Sequence, residues 1–262
     1  MKLIFHAALA AAIYGLFMVP ANAQWQGAIG VGGRHASTTE VDHAGNVLVH
    51  ETGWLPGISM RATYRDGGLS WITEGQVYKG TIQYHGQTQA GSAVDSTTDT
   101  GLTLLHIGGA YAIGGNYALL AAIEWEKWRR DIIGARGAAG LQEKYDAKRL
   151  SAGATKKWDL NDMATISFDA ALVIAQPERL QVAFSGLLDP ASLDTKWSQG
   201  LRIGASIRPA AAPSLEFCIG YDWIKVPRSD DAPVTRNGQL VGTIAQPEHR
   251  KQAITFTASS IF

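Results

Sequence analysis

Two groupings of side chains carry the residue types that chemistry needs. Asp222 and His249 stand near the same end of the last two alternating segments, and a histidine oriented by a carboxylate can act as a general base. A structural ion pair uses the same contact, and the many charges around it favour that reading. Upstream, His35, Glu40, Asp42, His43, His50 and Glu51 gather imidazoles and carboxylates, the ligands of zinc and copper. Their spacing matches no closed metal site, and Ala44-Gly45-Asn46 reads as the tip of a hairpin. The stretch is therefore expected to be a solvated loop, with no metal or other cofactor. Cys218 is the single cysteine, so it cannot form an internal disulfide. Nothing beside it in sequence would activate a thiolate, which leaves a small residue buried in a strand. G-x-S-x-G is absent, and Gly30 to Gly33 fall in a strand and not before a helix, which excludes a phosphate loop.

The elements that position these residues all read as strands. Alternating hydrophobicity recurs near 25–35, 53–65, 70–85, 100–113, 117–130, 145–159, 163–176, 193–208, 214–226 and 249–262. Tight connections (Asp66-Gly67-Gly68, Gly114-Gly115-Asn116, Asn161-Asp162 and Ala210 to Pro213) have turn compositions. They alternate with long ones at about 36–52, 86–99, 131–144, 177–192 and 227–248. In the fifth of these, Asn237-Gly238 between alternating residues signals a projecting hairpin. One face of each strand is uncharged, as in Tyr117, Leu119, Ala121, Ile123 and Trp125, or Leu215, Phe217, Ile219, Tyr221 and Trp223. The opposite faces carry Glu124, Glu126, Asp169, Glu216 and Asp222, too polar for the core of a sandwich. Apolar on one side and charged on the other suits lipid outside and a polar lumen inside. The fold class is thus all-β, a transmembrane antiparallel up-and-down barrel of about ten strands.

Parity assigns the lumen a nearly balanced set of charges. Arg61, Lys79, Arg149, Lys157, Arg202 and Arg208 face inward, with Glu74, Glu124, Glu126, Asp169, Glu216 and Asp222. Barrels of about eight strands are filled by side chains, whereas 16–18 strands leave a channel. Ten strands lie close to the filled end, so an ion-pair network that plugs the lumen is expected, with a narrow pore as the alternative. A break in alternation from Gly75 to Tyr78 reads as a β-bulge. Aromatic rings prefer the membrane interface. Trp25, Trp71 and Trp158 fall at one set of strand ends, and Trp54, Trp125, Trp128, Trp197 and Trp223 at the other, with Phe262 closing the chain.

The last segment alternates Ile254, Phe256, Ala258, Ser260 and Phe262 on one face. The first carries a positive start at Met1-Lys2, an apolar run from Leu3 to Val19, and Ala21-Asn22-Ala23 as a small-residue cleavage site. That pattern is an export signal over 1–23, with the barrel over 24–262. In these features the chain resembles bacterial outer-membrane β-barrels. The resemblance implies a Gram-negative outer membrane, contact with its lipid and lipopolysaccharide, and reading of the C-terminal strand by the barrel assembly machinery. In strand number it looks like the ten-stranded class that includes omptin proteases and some adhesins. The omptin pattern of paired aspartates and Asp-x-His has no counterpart here, and Asp222 with His249 is the nearest substitute. Twenty-three Lys and Arg balance twenty-three Asp and Glu, and losing Lys2 leaves the mature chain slightly acidic. Nucleic-acid binding, which needs a basic stripe, is excluded. The reading is a structural envelope or surface-adhesion barrel, with a narrow porin-like channel and a rim-located hydrolase as alternatives. The sequence names no surface ligand.

Overall fold

The computed structural model describes residues 24–87, 91–135 and 137–262; the export signal expected over 1–23 lies outside them. The described chain is strand and turn throughout. Its strands are β1 (Gln24–Val41), β2 (Val47–Asp66), β3 (Leu69–Gln87), β4 (Ala93–Gly114), β5 (Tyr117–Ile132), β6 (Leu141–Leu160), β7 (Ala164–Ala175), β8 (Arg179–Ala183), β9 (Ala191–Asp194), β10 (Ser198–Pro209), β11 (Leu215–Val226), β12 (Ala232–Arg236), β13 (Gln239–Ile244) and β14 (Glu248–Ile261). Ten of them follow the order β5-β4-β3-β2-β1-β14-β11-β10-β7-β6, and pairing of β5 with β6 closes the cylinder. Every neighbour is antiparallel. Closure leaves no free edge, which a backbone in hydrocarbon requires.

The tight connections lie together at one end, here the lower end. Gly67 (φ 56°), Asn116 (φ 63°) and Asn161 (φ 49°) take the left-handed conformation that such turns demand. At the upper end the strands run further than hydrophobic alternation indicates. β1 and β2 reach Val41 and Val47, and β3 and β4 reach Gln87 and Ala93. β8 extends the wall beyond β7 by pairing with β6, and β9 pairs with β8 and leads into β10. Most of the expected long loops are therefore barrel wall. Above the lipid the outward face meets water and the inward face packs in the lumen, so the outward apolar row ends while the hydrogen-bond ladder continues. The 227–248 connection holds the separate hairpin β12–β13.

The outward rows are apolar in the lower half. Ile29, Val31, Ile58, Met60, Leu119, Ile123, Leu172, Phe217 and Phe256 are all exposed, a band whose extent only lipid can cover. Trp25, Trp71 and Trp158 stand at its lower margin, and Trp54, Trp125, Trp197 and Trp223 face outward at its upper one. Trp25 packs on Tyr64 with ring centroids 5.0 Å apart. Phe262 is exposed, its N–H and C=O both bonded to Gly27.

Two expected orientations are overturned. Trp128 points into the lumen: residues three apart in a strand face opposite ways, so Trp125 and Trp128 cannot both meet lipid. β3 has no bulge, because its register with β4 runs unbroken from Leu69↔Tyr111 to Gln87↔Ala93. Unbroken parity then turns Lys79 outward beside Val77 and Thr81. The alternation is obscured there because Tyr78 is apolar and interior, opposite the apolar exterior of Val77. Gly32 needs its missing side chain for a close approach, since a Cβ there would lie 2.1 Å from the Phe256 carbonyl oxygen.

Candidate functional site: the lumen and its upper closure

The lower half of the lumen is a polar cavity of about 550 Å3. Arg61 and Arg208 share Glu216, the latter at 3.3 Å. Glu74 accepts from Gln76 Nε2 at 2.7 Å. Arg65, Lys157 and Asp169 line the same space, and the Cys218 thiol borders it beside Glu216. A Cβ on Gly204 would meet the Asp169 carboxylate at 2.5 Å, so the glycine makes room for it.

Above this cavity the charges cross the lumen in tiers. In the first, Asp222 accepts from Arg34 Nη1 at 3.0 Å and Arg202 Nε at 2.6 Å. Arg202 also grips Glu124 with both terminal nitrogens, and Ser151 donates to that carboxylate at 3.0 Å. In the second, Arg149 meets Glu126 at 2.6 Å, and Lys251 bridges Glu126 (3.4 Å) and Glu178 (2.9 Å). The Lys251 ammonium lies 4.7 Å above the Trp128 ring, which stacks on Tyr145 at 4.8 Å. In the third, Arg130 is only 1% exposed and contacts Glu40 at 3.0 Å, Glu51 at 2.9 Å and Glu143 at 2.7 Å. Thr98 donates to Glu51, and the Tyr145 hydroxyl donates to Glu143.

Packed with these tiers is an apolar core that includes Leu55, Tyr78, Ile82, Leu102, Leu180, Val182, Phe184 and Leu193. Leu180, Val182 and Leu193 come from the wall extension of β8 and β9. The upper lumen is thus filled by side chains, as the interior of a soluble barrel is.

Several site residues were misplaced or missed by sequence reading. Glu40 and Glu51 are buried ligands of Arg130, not members of a solvated loop. Arg34, Arg130, Glu143, Glu178 and Lys251 belong to the tiers; parity inside the expected segments already turns Arg34, Arg130 and Lys251 inward, extending it two residues before 145 adds Glu143, and Glu178 lies on no strand. Glu178 sits in the three residues that interrupt the wall between β7 and β8. Asp42 staples the first hairpin tip, accepting from the Ala44 and Asn46 N–H groups at 2.8 Å each. These bonds and that of the Asn46 side chain hold its carboxyl below the ordinary value of 3.8. Asp222 and His249 do not meet. Asp222 pairs across the ladder with Ala253, and His249 with Val226. His249 is buried, with Nε2 3.7 Å from Glu178. An imidazole enclosed in that way has no path to a substrate at the rim.

At the upper end, Asp189 joins the β8–β9 connection to the β12–β13 hairpin. Its carboxylate accepts from the Thr235 hydroxyl at 2.7 Å and from the N–H groups of Gly238 (2.9 Å) and Asn237 (3.3 Å). Arg236 Nε donates to the Leu187 carbonyl at 3.1 Å. Those donors hold the Asp189 carboxyl below its ordinary range.

No protein-family model matches the chain. Among solved structures it is similar to the outer membrane protease OmpT from Escherichia coli, with TM-score 0.59 and 9% identity over 93% of this chain and 98% of that one. The fold is that of an outer-membrane β-barrel. At this identity the likeness concerns architecture alone. The beta domain of the Bordetella autotransporter BrkA (TM-score 0.46, 11% identity, 90% and 99% covered) is more distant in shape. So is the translocator domain of the autotransporter NalP from Neisseria meningitidis (0.43, 9%, 99% and 95%).

Proposed function

We propose that this outer-membrane barrel does not conduct and works through its upper, cell-exterior face, as a structural envelope or surface-attachment protein of a Gram-negative cell. The observation that carries the reading is the apolar core of the upper lumen, backed by the Arg130 tier. An ion crossing that level would lose its hydration against apolar side chains and against buried charges already paired with one another. The cavity below is then a dead end that opens only on the periplasmic side. On the outer face, the hairpins clamped by Asp189 present Leu187, Leu240 and Val241 to solvent. Grouped exposed apolar residues are more typical of an interaction surface than of a bare one.

Conductance tests the reading directly. The purified, folded protein in planar bilayers should give no steady current above the lipid baseline. Stable single-channel steps from the unmutated protein would replace this reading with a narrow pore.

A further inference from the structure

On the outer wall, just above the upper girdle, cations gather on β3, β5 and β6 without the ion-pair contacts that cations make elsewhere. Lys79, Lys127, Arg129, Lys144 and Lys148 all face outward and are exposed. Elsewhere on the upper exterior, Arg179 pairs with Asp194 (3.6 Å), Lys196 with Asp230 (2.9 Å), and Lys225 and Arg250 with Glu248 (3.1 and 3.4 Å). Among the described residues, none of the five has a carboxylate oxygen within ion-pair distance. Asp146 is the single acid inside the patch, opposite Lys127. Asp99 and Asp131 stand one step higher, opposite each other in the β4–β5 ladder, where they accept from Thr81 and Gln142 and border the patch from above.

The register makes the arrangement costly for the protein alone. Arg129 lies directly opposite Lys144 in the β5–β6 ladder, and like charges so placed repel. Lys79 lies in the same row on the other side, separated from Arg129 by Gly101, whose missing side chain leaves open space. At about 4.8 Å per strand the row from Lys79 to Lys144 spans about 14 Å, room for two phosphate groups. Lys148 sits opposite Trp125. Lys127 stands two residues above Trp125, a rise of about 7 Å, which is headgroup level. Immediately below are Leu105, Ile123 and Leu150, all lipid-facing.

We propose that this face of β3–β6 is a binding site for a phosphorylated lipid of the outer leaflet, with its phosphates among Lys79, Arg129 and Lys144 and its acyl chains along Leu105, Ile123 and Leu150. The inference rests on the membrane placement above, and not on whether the lumen conducts. A soluble anion is the poorer fit, because the patch is a flat wall that continues into apolar rows. The guanidinium fork of Arg129 supplies the bidentate contact that a phosphate favours, and the bound phosphates cancel the Arg129–Lys144 repulsion.

The test is a titration of the folded full-length protein in phosphate-free maltoside micelles with diphosphoryl lipid A, read by native mass spectrometry. At about five-fold per cation near a lipid surface, Arg129→Gln with Lys144→Gln should weaken binding about thirty-fold. Lys225→Gln, which removes a paired cation two residues above Trp223 on the other side of the wall, should change it less than two-fold. Heat-modifiability on gels checks that each variant is folded, and Lys79→Gln, with an expected five-fold loss, serves if the double variant is not. Unchanged lipid A binding in a folded double variant overturns the inference. So does pyrophosphate that binds as tightly as the lipid and with the same dependence on Arg129 and Lys144, since the site would then take a soluble anion.

Discussion

Replacing Arg130 by alanine is the sharpest single perturbation of the closure. The guanidinium is buried and serves three carboxylates, those of Glu40, Glu51 and Glu143. Its loss strands all three in a space shared with Tyr145 and Thr98. Breaking one buried pair from one side costs about 3–5 kcal/mol, and three orphaned carboxylates place this site at the upper end, about 5 kcal/mol. That is a third or more of the stability of an ordinary domain, about 5–15 kcal/mol. Arg129→Ala is the matched control: the same strand and charge, but an exposed side chain, with an expected change within about 0.5 kcal/mol. Urea unfolding in detergent micelles, followed by tryptophan fluorescence and by gel mobility with and without heating, gives both numbers. Arg130→Met combined with Glu40→Gln, Glu51→Gln and Glu143→Gln should recover most of the loss, because the penalty comes from stranded charge and not from the missing guanidinium. Arg130→Ala within about 1 kcal/mol of the unmutated protein would refute the tier as a structural unit.

Two further outcomes follow from the outward rows and the apical clamp. Phe256→Arg should lower the amount of folded, heat-modifiable barrel far more than Thr257→Arg, because a cation on the lipid face costs about 2–4 kcal/mol near the midplane, whereas Thr257 faces the hydrated cavity; equal recovery of both would contradict the parity. The Asp189 carboxyl is depressed in the folded protein by its three hydrogen-bond donors, so its stabilisation of the β12–β13 hairpin is fully present above the ordinary value of 3.8 and is lost as pH falls through the lower folded value. Amide protection at Asn237 and Gly238, taken against the intrinsic exchange rate at each pH, should fall on that acid side, and Asp189→Asn should lower it at neutral pH and remove its pH dependence.

The barrel itself was legible because its evidence repeats. The lower strands set an uncharged row against a polar or charged one, and three of the four lower turns carry Gly, Asn or Asp, the fourth being Ala210 to Pro213. The lower and middle lumen charges followed from the same parity, as with Arg61, Glu124, Arg202 and Asp222. What escaped was the region above the girdle. Glu40 and Glu51 lie beyond the segments whose outward row is apolar, and Arg130 is the last residue of one, so the lower pattern of apolar outside and charge inside does not mark them. The pairing of Arg130 with Glu40 also joins residues far apart in the chain, and barrel closure, not spacing, brings them together. Trp128 was misread by position along its strand, although its odd separation from Trp125 already assigned it to the other face.

These errors share one cause, an inversion of polarity along the barrel axis. In the lower part of β5, Leu119 and Ile123 face out over a polar cavity, while in its upper part Lys127 and Arg129 face out and Trp128 and Ile132 are buried. β3 makes the same exchange, from Val77 outward to Ile82 inward, without a bulge. The strand does not change its geometry; its surroundings change from lipid to water. The lower half is therefore stabilised by apolar contact with the bilayer, and the upper half by an internal core like that of a soluble barrel. The level of the exchange, between Trp125 and Lys127, sets the depth at which the protein rides in the membrane. Because the upper half needs its interior for its own core, a through-pore and a self-supporting upper wall are competing uses of the same space, and here the residues fill it.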